Sequence, residues 1–453
     1  MKKKEIIKQI IRDFHLSEKF AVISRDIELP VDSGKIITII GVRRCGKTSL
    51  LYELINTLSD TINKEQILYF NFEDERLDFQ ADELDLLLHA YSELYPQYDI
   101  AQCYFFFDEI QNIPQWETFI RRIYDTKTKN LFITGSNSKL LSSEIATSLR
   151  GRTLNYEIYP LSFNEFLRFK EIKPDFYSTK QLAYIKNAQD QFLSEGGFPE
   201  LVFINKEYAL PVLQEYYNVL IYKDIVERYQ VKNTVALKYF LKRVLNSTTK
   251  QISVNKIYNE LKSAGIKTGK NSLYDFLDYC QNIYLSLVLN KYDKSLVNKE
   301  LGEKKVYSID IGFNNAIEYK FSEDKGKSLE NAVFLELKRQ RISVLYYKTD
   351  KSECDFICFD REKAIIAIQV TYDMSNEKTR QREINGLLNA CQHFSLKSGI
   401  IITYEDEDEL SIDNIHIKLI PFFKMADRFK MQNICEKSSQ KWLFGLKQSR
   451  QLY

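Results

Sequence analysis

The chain predicts an α/β fold in three parts: a P-loop type parallel sheet, a winged-helix segment, and a mixed α/β domain. Three observations predict it. Residues 35–48 read KIITIIGVRRCGKT, a β-branched apolar run followed by Gly41, four residues, Gly46, Lys47 and Thr48, the spacing of a glycine loop between a buried strand and a helix. A second apolar run, 103–107, ends on Asp108 and Glu109. From about residue 233 the chain turns to Lys- and Asn-bearing helical patterns, and strand-like runs dominate again after 340. With 453 residues the prior is about three domains, expected at 1–230, 231–320 and 321–430 with a tail at 431–453.

Composition narrows the class. Apolar residues at 44% and charged residues at 28% describe a soluble globular chain, and a net charge of +2 gives no global attraction to nucleic acid or membrane, so any basic face must be local. Seven cysteines without a CxxC pair and only four histidines argue for buried thiols rather than a zinc site. The start, MKKKEIIKQIIRDF, spaces Ile6, Ile7, Ile10, Ile11 and Phe14 as an amphipathic helix, interrupted by charges that a signal peptide would lack. No apolar run approaches the roughly 18 residues of a membrane span, and the cytoplasm is the expected compartment.

Each element then carries its own chemistry. Residues 36–40 read as a strand and 49–58 as a helix with Leu50, Leu51, Leu54 and Leu58 on one side. Between them, glycines let backbone N–H groups converge on a phosphate at the positive end of the helix dipole. Lys47 is expected to reach the β and γ phosphates and Thr48 to take a place on Mg²⁺. Residues 66–72 form a second strand, and 103–107 a third whose Asp108 would hold the metal shell while Glu109 orients or deprotonates water. A fourth run, 130–134, leads into Gly135, Ser136, Asn137 and Ser138, read equally as γ-phosphate contacts or as a turn and helix cap. In SLRGR, Arg152 ahead of Arg150 is a candidate arginine finger, in its own subunit or a neighbour's; a surface ion pair is the alternative.

The runs GVRRCGKTSLL, YFNFEDERL, FFFDEIQNIPQWE, FITGSNSKLL, SLRGR, YPLSFNEFL and EGGFPELV together resemble the AAA-type P-loop ATPases of bacteria and archaea that carry a trailing domain. The resemblance spans most of the chain. It implies ATP with Mg²⁺, an extra strand between the P-loop strand and the acidic strand, and a catalytic Glu after the metal-linked Asp. The nucleotide would be held by Gly41, Arg44, Cys45, Gly46, Lys47, Thr48, Ser49, Asp108 and Asn137, the metal by Thr48 and Asp108, and catalysis would fall to Glu109, Lys47 and Arg152. YKDIVERYQ at 222–230 resembles the helix leaving that family's core, with Arg228 as a further finger candidate.

The middle segment has the shape of a helix-turn-helix. Leu237, Phe240, Leu241, Val244 and Leu245 give one helical stripe, then ISVNKIYNELKSAGI and NSLYDFLDYCQNIYL flank the short turn GIKTGKN, and strands at 285–292 and 304–309 supply a wing. Lys267, Lys270, Asn271 and Ser272 would open the recognition helix, and Lys291, Lys294, Lys304 and Lys305 would lie on the wing, all positioned for DNA. Asp275, Asp278 and Asp293 dilute that charge, and packing or partner binding is the competing use.

Residues 328–371 resemble the PD-(D/E)XK nuclease core: Glu330 on a helix, Asp355 on a strand, then Gln369 and Thr371 where that family has Glu and Lys. A neutral amide and a hydroxyl replace a charged metal ligand and a cation, so cutting is expected to be lost even if Glu330 or Asp373 helps. Residues 405–409, EDEDE, read as an acidic loop. Three functions follow: an ATPase whose nucleotide state controls DNA or protein binding, a nucleotide-gated nuclease, or a slow switch with no nucleic-acid contact. A homo-oligomer or a protein partner fits the first.

Overall fold

In the computed structural model the described residues are 3–77, 79–136, 149–317 and 324–428. Five parallel strands build the first sheet: β1 (Ile36–Gly41), β2 (Ile67–Asn71), β3 (Tyr104–Asp108), β4 (Leu131–Gly135) and β5 (Thr153–Ile158). Their order is β2-β3-β4-β1-β5, so β4 lies between the P-loop strand and the acidic strand, as expected. β1, β3 and β4 are apolar because helices cover both faces of a parallel sheet. β5 escaped the sequence reading. It is an edge strand whose exposed and half-buried positions carry Thr153, Asn155 and Glu157, so it shows no continuous apolar run.

Helices close the faces. The amphipathic N-terminal helix Lys3–Leu16 buries Ile7, Ile11 and Phe14. Beyond β5 come helices Phe163–Phe169, Thr179–Glu195 and Lys206–Val219, and the last continues into a π-helical segment, Leu220–Glu227.

The middle segment forms the three expected helices, Thr234–Asn246, Val254–Ser263 and Lys270–Asn282. An antiparallel pair follows, β6 (Ser286–Asn290) and β7 (Lys304–Ser308). The last sheet contains β8 (Ser343–Lys348), β9 (Glu353–Asp360), β10 (Lys363–Val370), β11 (Ser398–Thr403), β12 (Asp408–Ile412) and β13 (Ile415–Pro421), in the order β12-β13-β11-β10-β9-β8. It is mixed, with β10-β11-β13 parallel and the rest antiparallel. Helix Glu377–His393 lies on it.

The parts are not beads on a string. One apolar core runs from the first sheet through the middle helices to Phe422 and Phe423. Arg339 Nη2 donates to the carbonyls of Pro160 and Leu161 at 2.8 and 3.0 Å. Asp310, after β7, accepts from the N–H groups of Gly197 (2.7 Å) and Gly312 (2.8 Å), tying the GGFP run to the middle segment. Burial outweighs those bonds and pushes the Asp310 carboxyl up to about 7.

This has a pH consequence. Between the ordinary carboxylate range near about 4 and about 7 the folded chain keeps a proton that the unfolded chain has shed. The associated stability is complete below that window and lost as pH rises through it. Thermal midpoints measured across this range should fall with rising pH, and Asp310→Asn should flatten the fall at a lower midpoint; an unchanged slope would reject the assignment.

Candidate functional site

The site is built at the carboxyl ends of β1, β3 and β4, where an open α/β sheet offers its crevice. β1 ends on Gly41, and a Cβ there would collide with the Ile158 carbonyl of β5. Gly46 (φ 98°) turns the chain into helix Lys47–Leu58, whose first N–H groups face the loop. Lys47 is 4% exposed, and its ammonium donates to the carbonyls of Gly41 (3.3 Å) and Val42 (3.2 Å), with Glu109 Oε1 at 3.5 Å.

The acidic pair divides its work. Asp108 Oδ2 accepts from Thr48 Oγ1 at 2.8 Å and from Tyr69 OH at 3.1 Å, and Oδ1 from Thr134 Oγ1. Burial, opposed by these hydroxyls, raises its carboxyl above the usual range. Glu109 has a left-handed backbone (φ 52°), fixed by its N–H to Thr134 Oγ1 at 2.9 Å. Burial alone would raise Glu109, but Lys47, Gln111, Arg43 and Ser136 together hold it below the ordinary value. It therefore stays a carboxylate, the form a base requires.

Thr48 and Asp108 fit Mg²⁺: a hydroxyl and a carboxylate are hard oxygen donors in contact, and this ion takes few protein ligands beside phosphates and water. Lining the same cavity of about 1440 Å³ are Gly46, Lys47, Thr48, Ser49, Asp108 and Glu109. The same lining includes the apolar residues Ala21, Val22, Ile23, Phe169, Pro199 and Phe203. Those residues come from three separated stretches, so no motif announced them.

Other expectations divide. Cys45 is fully buried, so only its backbone could serve a phosphate; Arg44, also left-handed (φ 67°), points 5.5 Å over the Tyr216 ring. Arg152 is not brought to the site. Its carbonyl accepts from Ile36 N at the opposite end of β1, and its guanidinium pairs with Asp125 at 3.0 and 3.1 Å. A five-residue strand rise of about 17 Å separates it from the loop, which excludes a finger role within its own chain. Arg150 lies beside it, exposed, in the same turn. Arg228 does line the cavity. Asn137 and Ser138 lie outside the described residues.

Two contributors went unforeseen. Thr134 was read only as the end of a strand, yet it bonds both acidic residues. Arg25 runs beneath the loop, donating to Cys45 O (2.8 Å), Tyr159 O (2.9 Å) and Glu165 Oε1 (2.7 Å). Glu165 also closes a capping box with Ser162; the S-x-x-E spacing of SFNE was the available signal.

The C-terminal acidic cluster has a different arrangement from the one expected. Lys305 of β7, expected on a DNA-facing wing, is 4% exposed and points inward. Its ammonium lies 3.3 Å from Glu330, 2.7 Å from Glu353 and 3.1 Å from Asp355. Asp355 Oδ2 accepts from Val370 N (3.0 Å), and Gln369 bridges Asp355 N (3.2 Å) to Glu383 (2.5 Å). Thr371 Oγ1 donates to the Asp373 carbonyl at 3.4 Å, and exposed Asp373 turns to Ser375. Among the described residues no group of three or more His, Cys, Asp or Glu is arranged to hold a metal. Among the described residues six cysteines are buried free thiols, and no described helix is long and apolar enough to cross a membrane.

A P-loop, an acidic strand two places away and a buried Lys–Glu pair are the parts of a P-loop nucleotide-binding fold, and residues 33–167 match the model of an AAA domain. Residues 186–324 and 325–423 match two domains of unknown function, DUF8612 and DUF4143. The chain belongs to the family of MJ1544, an uncharacterized protein of Methanocaldococcus jannaschii, to which it is 38% identical over 94% of its length and 96% of the relative's. An uncharacterized protein of Haemophilus influenzae is 30% identical over 85% of this chain and 93% of its own. Among solved structures, Cdc6p from Pyrobaculum aerophilum aligns at 13% identity over 63% of this chain and 88% of that one, with a TM-score of 0.26. The Aeropyrum pernix ORC1 protein, in complex with DNA, aligns at 12% identity over 70% and 91%, with a TM-score of 0.28. Scores this low carry no conclusion.

Proposed function

We propose that the protein binds and hydrolyses ATP with Mg²⁺ and that its nucleotide state controls how its C-terminal parts engage DNA or a protein partner. The observation that carries this reading is the joined pair of contacts Thr48–Asp108 and Lys47–Glu109 at the mouth of a parallel sheet. The loop N–H groups and Lys47 would bind the triphosphate and Thr48 with Asp108 would hold the ion, which screens phosphate charge. Glu109 would take a proton from the attacking water. The apolar lining residues, Ile23 and Phe203 among them, would receive the base. Of the three finger candidates Arg150, Arg152 and Arg228, it is Arg228 that lines the cavity. Phosphate release from ATP with Mg²⁺ tests the reading, and no release under any condition would reject hydrolysis.

The middle helices and β6–β7 we read as a winged helix, with Lys267, Lys270 and Asn271 exposed at the start of the third helix. DNA binding should weaken steeply with salt and be removed by Lys267→Glu with Lys270→Glu. Binding that survives this double variant would move the contact elsewhere.

The C-terminal sheet we read as nuclease-like in outline but without cutting activity. Lys305 already stands as a counter-ion among the carboxylates that a metal would need, and Gln369 is committed to Glu383. Plasmid incubated with the protein, ATP and Mg²⁺ or Mn²⁺ should stay intact; nicking would restore the nuclease reading.

A further inference from the structure

Of the two arginines inside the phosphate loop, Arg43 is held by the element that leaves the ATPase core and Arg44 by the GGFP run and the helix before that element. Arg43 meets Asp224 with two donors, Nε to Oδ2 at 2.9 Å and Nη2 to Oδ1 at 3.2 Å, and Nη1 reaches Glu73 at 3.1 Å. Arg44 lies 3.6 Å from Glu200, which accepts the Tyr216 hydroxyl. Asp224 is 5% exposed and sits in the middle of the π-helical segment Leu220–Glu227. A π-helical turn is uncommon and concentrates at functional positions, because its looser hydrogen bonding persists only where something else holds it.

Arg43 also faces the reaction. It lines the same cavity wall as Lys47, Thr48 and Glu109, and its charge helps keep Glu109 ionised. Beyond Asp224 the chain has fixed handles on the middle segment. Tyr229 stacks on Tyr279 at 3.7 Å between centroids, Lys238 bonds Tyr222 at 2.5 Å, and Asn233 donates to Lys267 O at 2.8 Å in the turn before helix Lys270–Asn282. These contacts join the π-helical segment to the face that bears Lys267 and Lys270.

We propose that Arg43 exchanges partners during the nucleotide cycle, leaving Asp224 for the terminal phosphate of a nucleoside triphosphate and so releasing the π-helical segment that leads to the middle helices. The inference rests on the reading of the loop as a nucleotide site. A terminal phosphate competes because it presents more charge to the same guanidinium fork than one carboxylate does. A diphosphate lacks that group, so it leaves the Arg43–Asp224 pair in place. The ligand shifts the segment only by this difference between the two states.

Hydrogen exchange on the full chain with Mg²⁺ provides the test, using no nucleotide, ADP and a non-hydrolysable ATP analogue, with binding followed in parallel by calorimetry. The analogue should speed exchange across 220–232 while ADP leaves it unchanged. Asp224→Asn should show the fast exchange without nucleotide and should raise the preference for the analogue over ADP by about tenfold, or about 1.4 kcal/mol. Binding of the analogue with no change in exchange at 220–232 would overturn the partner exchange while leaving the nucleotide site standing. If Asp224→Asn proves unstable, the unaltered chain still decides on its own. Absence of binding heat for both nucleotides would overturn the nucleotide reading, and this inference with it.

Discussion

Glu109→Gln is expected to lower the rate of ATP hydrolysis by about 10²–10⁴-fold while leaving nucleotide binding intact. The amide keeps the size and the contact with Gln111, so the left-handed turn at Glu109, held through its backbone N–H, should survive. What it loses is the proton acceptor. Lys47→Ala should fail at an earlier step, because it removes the ammonium buried at the centre of the loop and leaves Glu109 without its nearest cation. Calorimetry should then show ATP affinity lost in Lys47→Ala and kept in Glu109→Gln, and a phosphate-release assay should show both inactive. Equal turnover in Glu109→Gln and the unaltered chain would remove Glu109 from catalysis. Nucleotide affinity unchanged in Lys47→Ala would count against the loop as the phosphate site.

Lys305→Ala should have the largest effect on stability, about 3–5 kcal/mol, the range for breaking a buried ion pair from one side. Asp355 and Glu330 are enclosed, Glu353 is half-buried, and the lysine serves all three. Burial and the neighbouring Asp355 charge already raise the Glu330 carboxyl, even with the lysine present. Denaturant unfolding followed by circular dichroism should show an earlier midpoint. Adding Asp355→Asn and Glu330→Gln should recover part of the loss, since the uncompensated charge then disappears. A Lys305→Ala midpoint within error of the unaltered chain would mean that water reaches the cluster and that the lysine is not its counter-ion.

The site's chemistry was legible where it is local in sequence. Gly41, Gly46, Lys47 and Thr48 fall within eight residues, and Asp108 with Glu109 ends a single strand, so spacing alone proposes their roles. Thr134 was legible as a strand residue only; its part in orienting both carboxylates depends on β4 inserting between β1 and β3. Arg152 illustrates the opposite case. An arginine near a glycine invites a finger role, but strand direction places it at the wrong end of the sheet.

By itself the sequence determined the P-loop, the acidic strand and the three middle helices, because each is a local pattern of side-chain type and period. Only the tertiary structure decided which distant charges meet. Arg25 beneath the loop, Asp224 on Arg43 and Lys305 among Glu330, Glu353 and Asp355 join residues 20 to 181 positions apart. A buried charge requires a partner but places no constraint on where in the chain that partner lies, so no periodicity could have revealed these pairs.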